Sequence, residues 1–173
     1  MSEAALSRKV SESQSERTEI VFPADANGIG SLFGGRLMEY IDLVGAIAAS
    51  RHSRAIAVTA SMDHLDFLAP VRVGSVLIMK ASVNRVFRTS MEVGVRVMVE
   101  DIREQTLRHV SSAYITFVAV DPEGKGLVVP QLELETDHQR RRWEDAGRRR
   151  TLREGETARS KRVREELGAG WHL

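Results

Sequence analysis

The 173-residue chain contains no cysteine. Disulfides, thiolate metal sites and a cysteine nucleophile are thereby excluded, and the lack fits a reducing compartment. Long apolar runs are missing too. None approaches the roughly 20 residues needed to span a bilayer, and Met1 to Arg17 lacks the apolar stretch of a secretory signal. The cytoplasm is the expected location, with no membrane partner. The five histidines, at positions 52, 64, 109, 138 and 172, show no ligand spacing, so no metal or other cofactor is expected. His52 reads as a partner for the dipole at the end of a helix. The glycines between Asn27 and Gly35 are not followed by the Lys-Ser/Thr that a P-loop needs. Neither Ser31 nor Ser90 has a histidine at a suggestive position for a triad.

What is present suits one soluble domain and a tail. Apolar residues make up 42% and charged residues 28%, ordinary values for a globular protein. The net charge of +1 hides an asymmetry: from Thr136 onward there are 11 Arg or Lys against 7 Asp or Glu, so the body is slightly acidic and the tail basic. The body is no nucleic-acid binder on charge grounds, and nucleic acid is not an expected partner. The runs Arg140-Arg141-Arg142 and Arg148-Arg149-Arg150 have the charge to bind phosphates, but they read first as a solvated charged helix with i,i+4 pairing.

Residues 1–16 are small, polar and rich in Ser and Glu, the composition of a disordered segment. Thr18 to Phe22 reads as a strand, and Pro23 to Phe33 as a loop. Gly34-Gly35 opens a helix to about Arg51, with Leu37, Met38, Ile41, Val44 and Ala48 spaced for one face. After Asp42 the helix is apolar on every side, the mark of a buried helix. Four strands follow over Ala55–Leu68, Ser75–Phe87, Ser90–Asp101 and Leu107–Val120. Their short links make neighbours antiparallel. A single helix with no polar face must then be wrapped by the sheet. The pattern predicts a hotdog fold: a five-stranded antiparallel sheet around one long helix over 17–130. A charged tail at 131–173, helical or partly disordered, has too few apolar positions for a core.

Asp42 is the only ionisable group between Tyr40 and Ser50. An isolated carboxylate in so apolar a stretch is costly. It is either a general base or a structural acceptor of hydrogen bonds from a loop. Gly34 and Gly35 either open a helix N-terminus to a developing oxyanion or let the helix cross a strand closely. Asn27, followed by Gly28, is either a polar site group or turn chemistry. Thr59, Ser61 and Asp63 alternate with Val58, Ala60 and Met62 and should share one strand face. A solvent-facing role is the preferred reading of Ser61 and Asp63.

Four stretches carry a family resemblance: DANGIGSLFGGRLMEYIDLVGAIAASRH, VTASMDHLDFLAPVRVGSV, NRVFRTSMEVGVRV and AYITFVAVDPEGKGLVVP. In this order they resemble the hotdog acyl-CoA thioesterases of the cytosolic acyl-CoA hydrolase group. The resemblance implies hydrolysis of fatty acyl-CoA by a homodimer that assembles into hexamers. It makes Asp42 the catalytic carboxylate, Asn27 its helper from the neighbouring subunit and Thr59 an assisting hydroxyl. Ser31 stands where some members carry Asn or Asp, which leaves it a minor role. Gly34 lies about 12 Å along the helix from Asp42, so a shared site between antiparallel helices would bring Asn27 and Gly35 of one chain to Asp42 of the other. Arg88, in a tight link beside Thr89 and Ser90, and Arg85 are candidate partners for the CoA phosphates. Solvated surface charge is the competing reading of both arginines. Two other functions stand beside hydrolysis: a hydroxyacyl dehydratase on the same fold, and a non-catalytic acyl-CoA or acyl-carrier sensor. The dehydratase reading needs a histidine near the helix, and residues 18–51 hold none.

Overall fold

The structure is a computed structural model that describes residues 7–63, 65–102 and 104–166. In chain order it comprises β1 (Ser7–Lys9), α1 (Val10–Ser13), β2 (Ser15–Ile20), α2 (Gly34–Ser53), β3 (Ile56–Asp63), β4 (Val76–Val86), β5 (Ser90–Asp101), β6 (Thr106–Val120), β7 (Gln131–Glu133) and α3 (Asp137–Glu166). The main sheet is antiparallel throughout, in the order β2-β4-β5-β6-β3. β1 and β7 form a short parallel pair beside it. The long strands follow from alternating Val, Ile and Met in β4 and β5, whose inward members Leu77, Met79, Val93, Val95 and Val97 are almost wholly buried. Among the described residues no helix is long and apolar enough to cross a membrane.

α2 packs Leu37, Ile41, Val44 and Ala48 onto the inner face of this sheet. Each large side chain so buried contributes about 1.5–3 kcal/mol. Gly45 lets the helix come close, because a Cβ there would stand 3.0 Å from the Phe117 ring and 3.2 Å from Ile115. The five-stranded sheet with one long central helix is the predicted hotdog arrangement. The wrapping, however, covers only one side of α2. Met38, Leu43 and Ile47 are 41–47% exposed on the other side, next to the outer edge strand β3, where Ile56 and Val58 are also open.

Two further expectations change. Residues 7–16 are ordered as β1, α1 and the start of β2 rather than disordered, while 1–6 lie outside the described residues. Val10 and Ser13 are buried, and Ser13 Oγ accepts a hydrogen bond from Val83 N at 3.0 Å. Arg51 donates to Gln14 O at 2.5 Å. Such anchors are long-range, so local composition does not reveal them. The tail, in turn, is docked rather than merely solvated. α3 lies on the outer face of the sheet and buries Ala146 completely. Residues 167–173, expected to fray, lie outside the described residues.

Candidate active site

Asp42 is half-buried midway along α2, on the side that the chain's own sheet leaves uncovered. Thr59 Oγ1 on β3 donates to Asp42 Oδ1 at 2.6 Å. This is a short, charge-assisted bond, and it fixes the carboxylate against one rotamer. Among the described residues, Oδ2 accepts no hydrogen bond, so it is available to a water or a substrate. Leu43 and Ile47, exposed on the same uncovered side of α2, make the surroundings apolar.

The position of Thr59 depends on a backbone irregularity. The pairing of β3 with β6 shifts register between Thr59 and Ser61. Thr59 lies opposite Phe117, whose ring is in the core, whereas Ser61 lies opposite Thr116 and Asp63 opposite Tyr114 on the outer face. Ala60 is the extra residue of a bulge. The expectation that Thr59, Ser61 and Asp63 share one face is therefore wrong: the bulge turns Thr59 inward to Asp42 and the other two outward. Nor do those two face open solvent, since both are half-buried and bonded to α3.

Asn27 sits in the loop before α2, apart from the Asp42–Thr59 pair. Its Oδ1 accepts from the N–H groups of Ile29 and Ser31, both at 3.1 Å. Its backbone N donates to Ser31 O at 2.8 Å. The carboxamide oxygen is thus committed to shaping the loop, and only the Nδ2 donors can serve a ligand. Ser31 is buried within the same loop. Gly34 has a steric explanation: a Cβ there would stand 3.1 Å from the Phe67 ring. Gly35 is different, exposed and with nothing within 4 Å of the place a Cβ would take. His52 is fully buried, and its Nε2 lies 2.9 Å from Pro130 O, so it joins α2 to the start of the tail.

Residues 29–106 match the Thioesterase superfamily. An uncharacterized acyl-CoA thioester hydrolase of Bacillus subtilis, YkhA, is 41% identical over 128 residues, which cover 74% of each chain. The chain belongs to the thioesterase superfamily. Among solved structures, the acyl-CoA hydrolase of Staphylococcus aureus in complex with butyryl coenzyme A, coenzyme A and coenzyme A disulfide superimposes with a TM-score of 0.86 at 37% identity, covering 93% of this chain and 98% of that one. Variants of that enzyme with an aspartate, an asparagine or a threonine replaced by alanine superimpose at TM-scores of 0.84–0.90. A hexameric acyl-CoA thioesterase without ligand gives 0.85 at 37% identity, covering 88% of this chain and 98% of that one.

In this thioesterase the candidate phosphate ligands do not stand together. The Arg85 guanidinium lies 3.6 Å from the centroid of the Trp143 ring and donates to Trp143 O at 3.2 Å. Ser90 Oγ accepts from Arg150 at 3.4 Å. Both are occupied by α3, which leaves Arg88 as the exposed member of the three. The sequence reading missed how α3 docks. Arg142, Arg149, Arg150 and Arg153 follow a helical spacing and reach a polar stripe on the outer face of the sheet. Arg142 donates to Ser82 at 2.8 Å and to Asn84. Gly94 makes room for this, because a Cβ there would stand 2.7 Å from Asn84 Nδ2 and 3.2 Å from Arg142. Arg149 forms two hydrogen bonds to the fully buried Glu92, at 2.7 and 3.1 Å, and stacks 3.6 Å from the Tyr114 centroid. Burial works against the charge on Arg149, but the hydrogen bonds and charge of Glu92 outweigh it. The available signal was the pairing of a basic helix with Ser82, Asn84, Glu92, Thr116 and Asp63, polar groups in strands that are otherwise apolar.

Proposed function

We propose that this thioesterase hydrolyses fatty acyl-CoA to a free fatty acid and CoA with Asp42 as the reacting carboxylate. The observation that carries the reading is the 2.6 Å bond that orients Asp42 from Thr59 in an apolar setting. As a general base, Asp42 Oδ2 takes a proton from water while the oxygen attacks the thioester carbon. The tetrahedral oxyanion then collapses, the C–S bond breaks, and the CoA sulfur leaves with that proton. Asp42 can alternatively attack directly, giving an acyl–aspartyl anhydride that water opens. After a single turnover in water enriched in oxygen-18, label in the Asp42 carboxylate is diagnostic of an anhydride opened at the aspartyl carbon, and trapping of the acyl group on Asp42 by rapid quench tests for an anhydride opened at the acyl carbon. Variants of the Staphylococcus aureus hydrolase at an aspartate, an asparagine and a threonine involve the same three residue types as Asp42, Asn27 and Thr59.

The remaining groups act from a second subunit. The uncovered side of α2, with Met38, Leu43 and Ile47, and the open edge of β3 need cover, and a second copy related by a two-fold axis supplies it. Asn27 Nδ2 and the N–H of Gly35 from that copy then stabilise the oxyanion on Asp42's substrate. Gly34 keeps the helix start close to Phe67. Three such dimers make a hexamer, and one of the similar structures is a hexameric acyl-CoA thioesterase. Arg88 is the candidate for the CoA phosphates, with Arg85 and Ser90 supporting the link from beneath α3. A cytoplasmic site of action accords with the rat and human cytosolic acyl coenzyme A thioester hydrolases, 35% and 34% identical. Asp42→Asn is expected to keep the fold and lose nearly all thiol release from acyl-CoA. Near-normal kcat in that variant refutes the assignment. Mixing Asp42→Asn with Asn27→Ala chains is expected to restore part of the activity, and no recovery in verified mixed oligomers refutes the shared site.

A further inference from the structure

We infer that Arg153 of α3 is a positioning residue for Thr59, acting through the outer face of the sheet. The inference rests on the reading of Asp42 and Thr59 as a working pair. Thr59 reaches Asp42 only because Ala60 bulges out of the β3–β6 ladder. Without that extra residue, Thr59 and Ser61 would point the same way, and one of the two could not keep its present partner. Within the chain β3 pairs on one side only, with β6, and that ladder alone does not choose where the slip falls. Arg153 supplies the choice. Its Nη1 donates to Ser61 Oγ at 2.8 Å and to Thr116 Oγ1, the residue paired with Ser61 across the ladder. Its Nη2 forms an ion pair with Asp63 Oδ2 at 3.1 Å. One planar guanidinium therefore clamps the two outward residues that follow the bulge to the strand beside them, with Arg153 and Asp63 only 23% and 17% exposed. With Ser61 and Asp63 held outward, Thr59 is left on the inner face, on α2's side of the sheet.

α3 is in turn held over this point by Arg142 and Arg149, so the tail that looks dispensable reaches the reaction centre through one side chain. If Arg153 acts only through Thr59, its loss should change kcat far more than KM, and should change nothing once Thr59 is gone. The experiment is a double-mutant cycle in the full-length protein, with thiol release as the assay and circular dichroism confirming the fold. Arg153→Ala and Thr59→Ala are each expected to lower kcat about 10- to 100-fold, the scale of a misplaced catalytic group. The double variant should match Thr59→Ala alone. Arg153→Lys, which keeps charge toward Asp63 but not the fork, should recover only part of the loss and serves if the alanine variant does not fold. Arg148→Ala on the exposed side of the same helix is expected to keep wild-type kcat. Additive losses in the cycle, or an unchanged kcat in folded Arg153→Ala beside a damaged Thr59→Ala, overturn the inference and leave the site reading intact. An unchanged kcat in Thr59→Ala overturns both.

Discussion

Replacing Arg149 by alanine strands a carboxylate inside the protein. Glu92 is 0% exposed and receives three hydrogen bonds, two from Arg149 at 2.7 and 3.1 Å and one from Asn84 Nδ2 at 2.9 Å. After Arg149→Ala only the neutral Asn84 bond remains. Breaking a buried pair from one side costs about 3–5 kcal/mol, because the surviving charge keeps its desolvation cost without its partner. A separate route gives a ceiling. The stranded glutamate can escape by taking a proton, and at pH 7 that costs about 4 kcal/mol for a carboxyl with an ordinary value near 4.3. The two figures agree, so a loss of about 3–4 kcal/mol is expected at pH 7 in urea unfolding at fixed protomer concentration. The protonation route also fixes the sign of the pH effect. Protonation relieves the stranded charge, so stability is regained as pH falls. The deficit against wild type should shrink by about 2–3 kcal/mol between pH 7 and pH 5. Replacing both partners by methionine should restore most of the loss, since no charge is then stranded. A variant within about 1 kcal/mol of wild type at pH 7, or equally damaged at pH 5 and pH 7, refutes the reasoning.

Two other outcomes are expected. Burial holds the His52 imidazole below its ordinary value of 6.5, against the opposing pull of the Pro130 carbonyl. The stability this histidine contributes is therefore complete above that pH and is lost as pH falls below it through the folded value. Melting temperatures of wild type and His52→Gln should diverge at neutral pH and converge toward pH 5; parallel curves refute the assignment. Arg88→Ala should raise KM for acyl-CoA about two- to fivefold with kcat little changed, and the defect should shrink in high salt. A fall in kcat at constant KM instead places Arg88 in the catalytic architecture.

Much of the architecture was legible because it is written in local periodicity. The long apolar helix and the run of Val-rich strands each carry their own signal, and the strand predicted over Ser90–Asp101 has the bounds observed. Asp42 stood out for the same reason, as a lone charge in an apolar stretch. What periodicity could not reveal is anything that depends on a distant partner. Ser13 is ordered by Val83, the basic tail is docked by Glu92, and Arg85 is covered by Trp143. The bulge at Ala60 shows the limit most sharply. Strict alternation places Thr59 and Ser61 on one face, and only pairing with β6 and the hold of Arg153 separate them. Alternation is a property of a single strand, whereas a register slip is a property of two strands and of whatever grips them from outside. The sequence by itself therefore determined which elements form and which carboxylate is out of place. Tertiary structure decided which side chains meet that carboxylate, because the free energy of those contacts belongs to residues far apart in the chain.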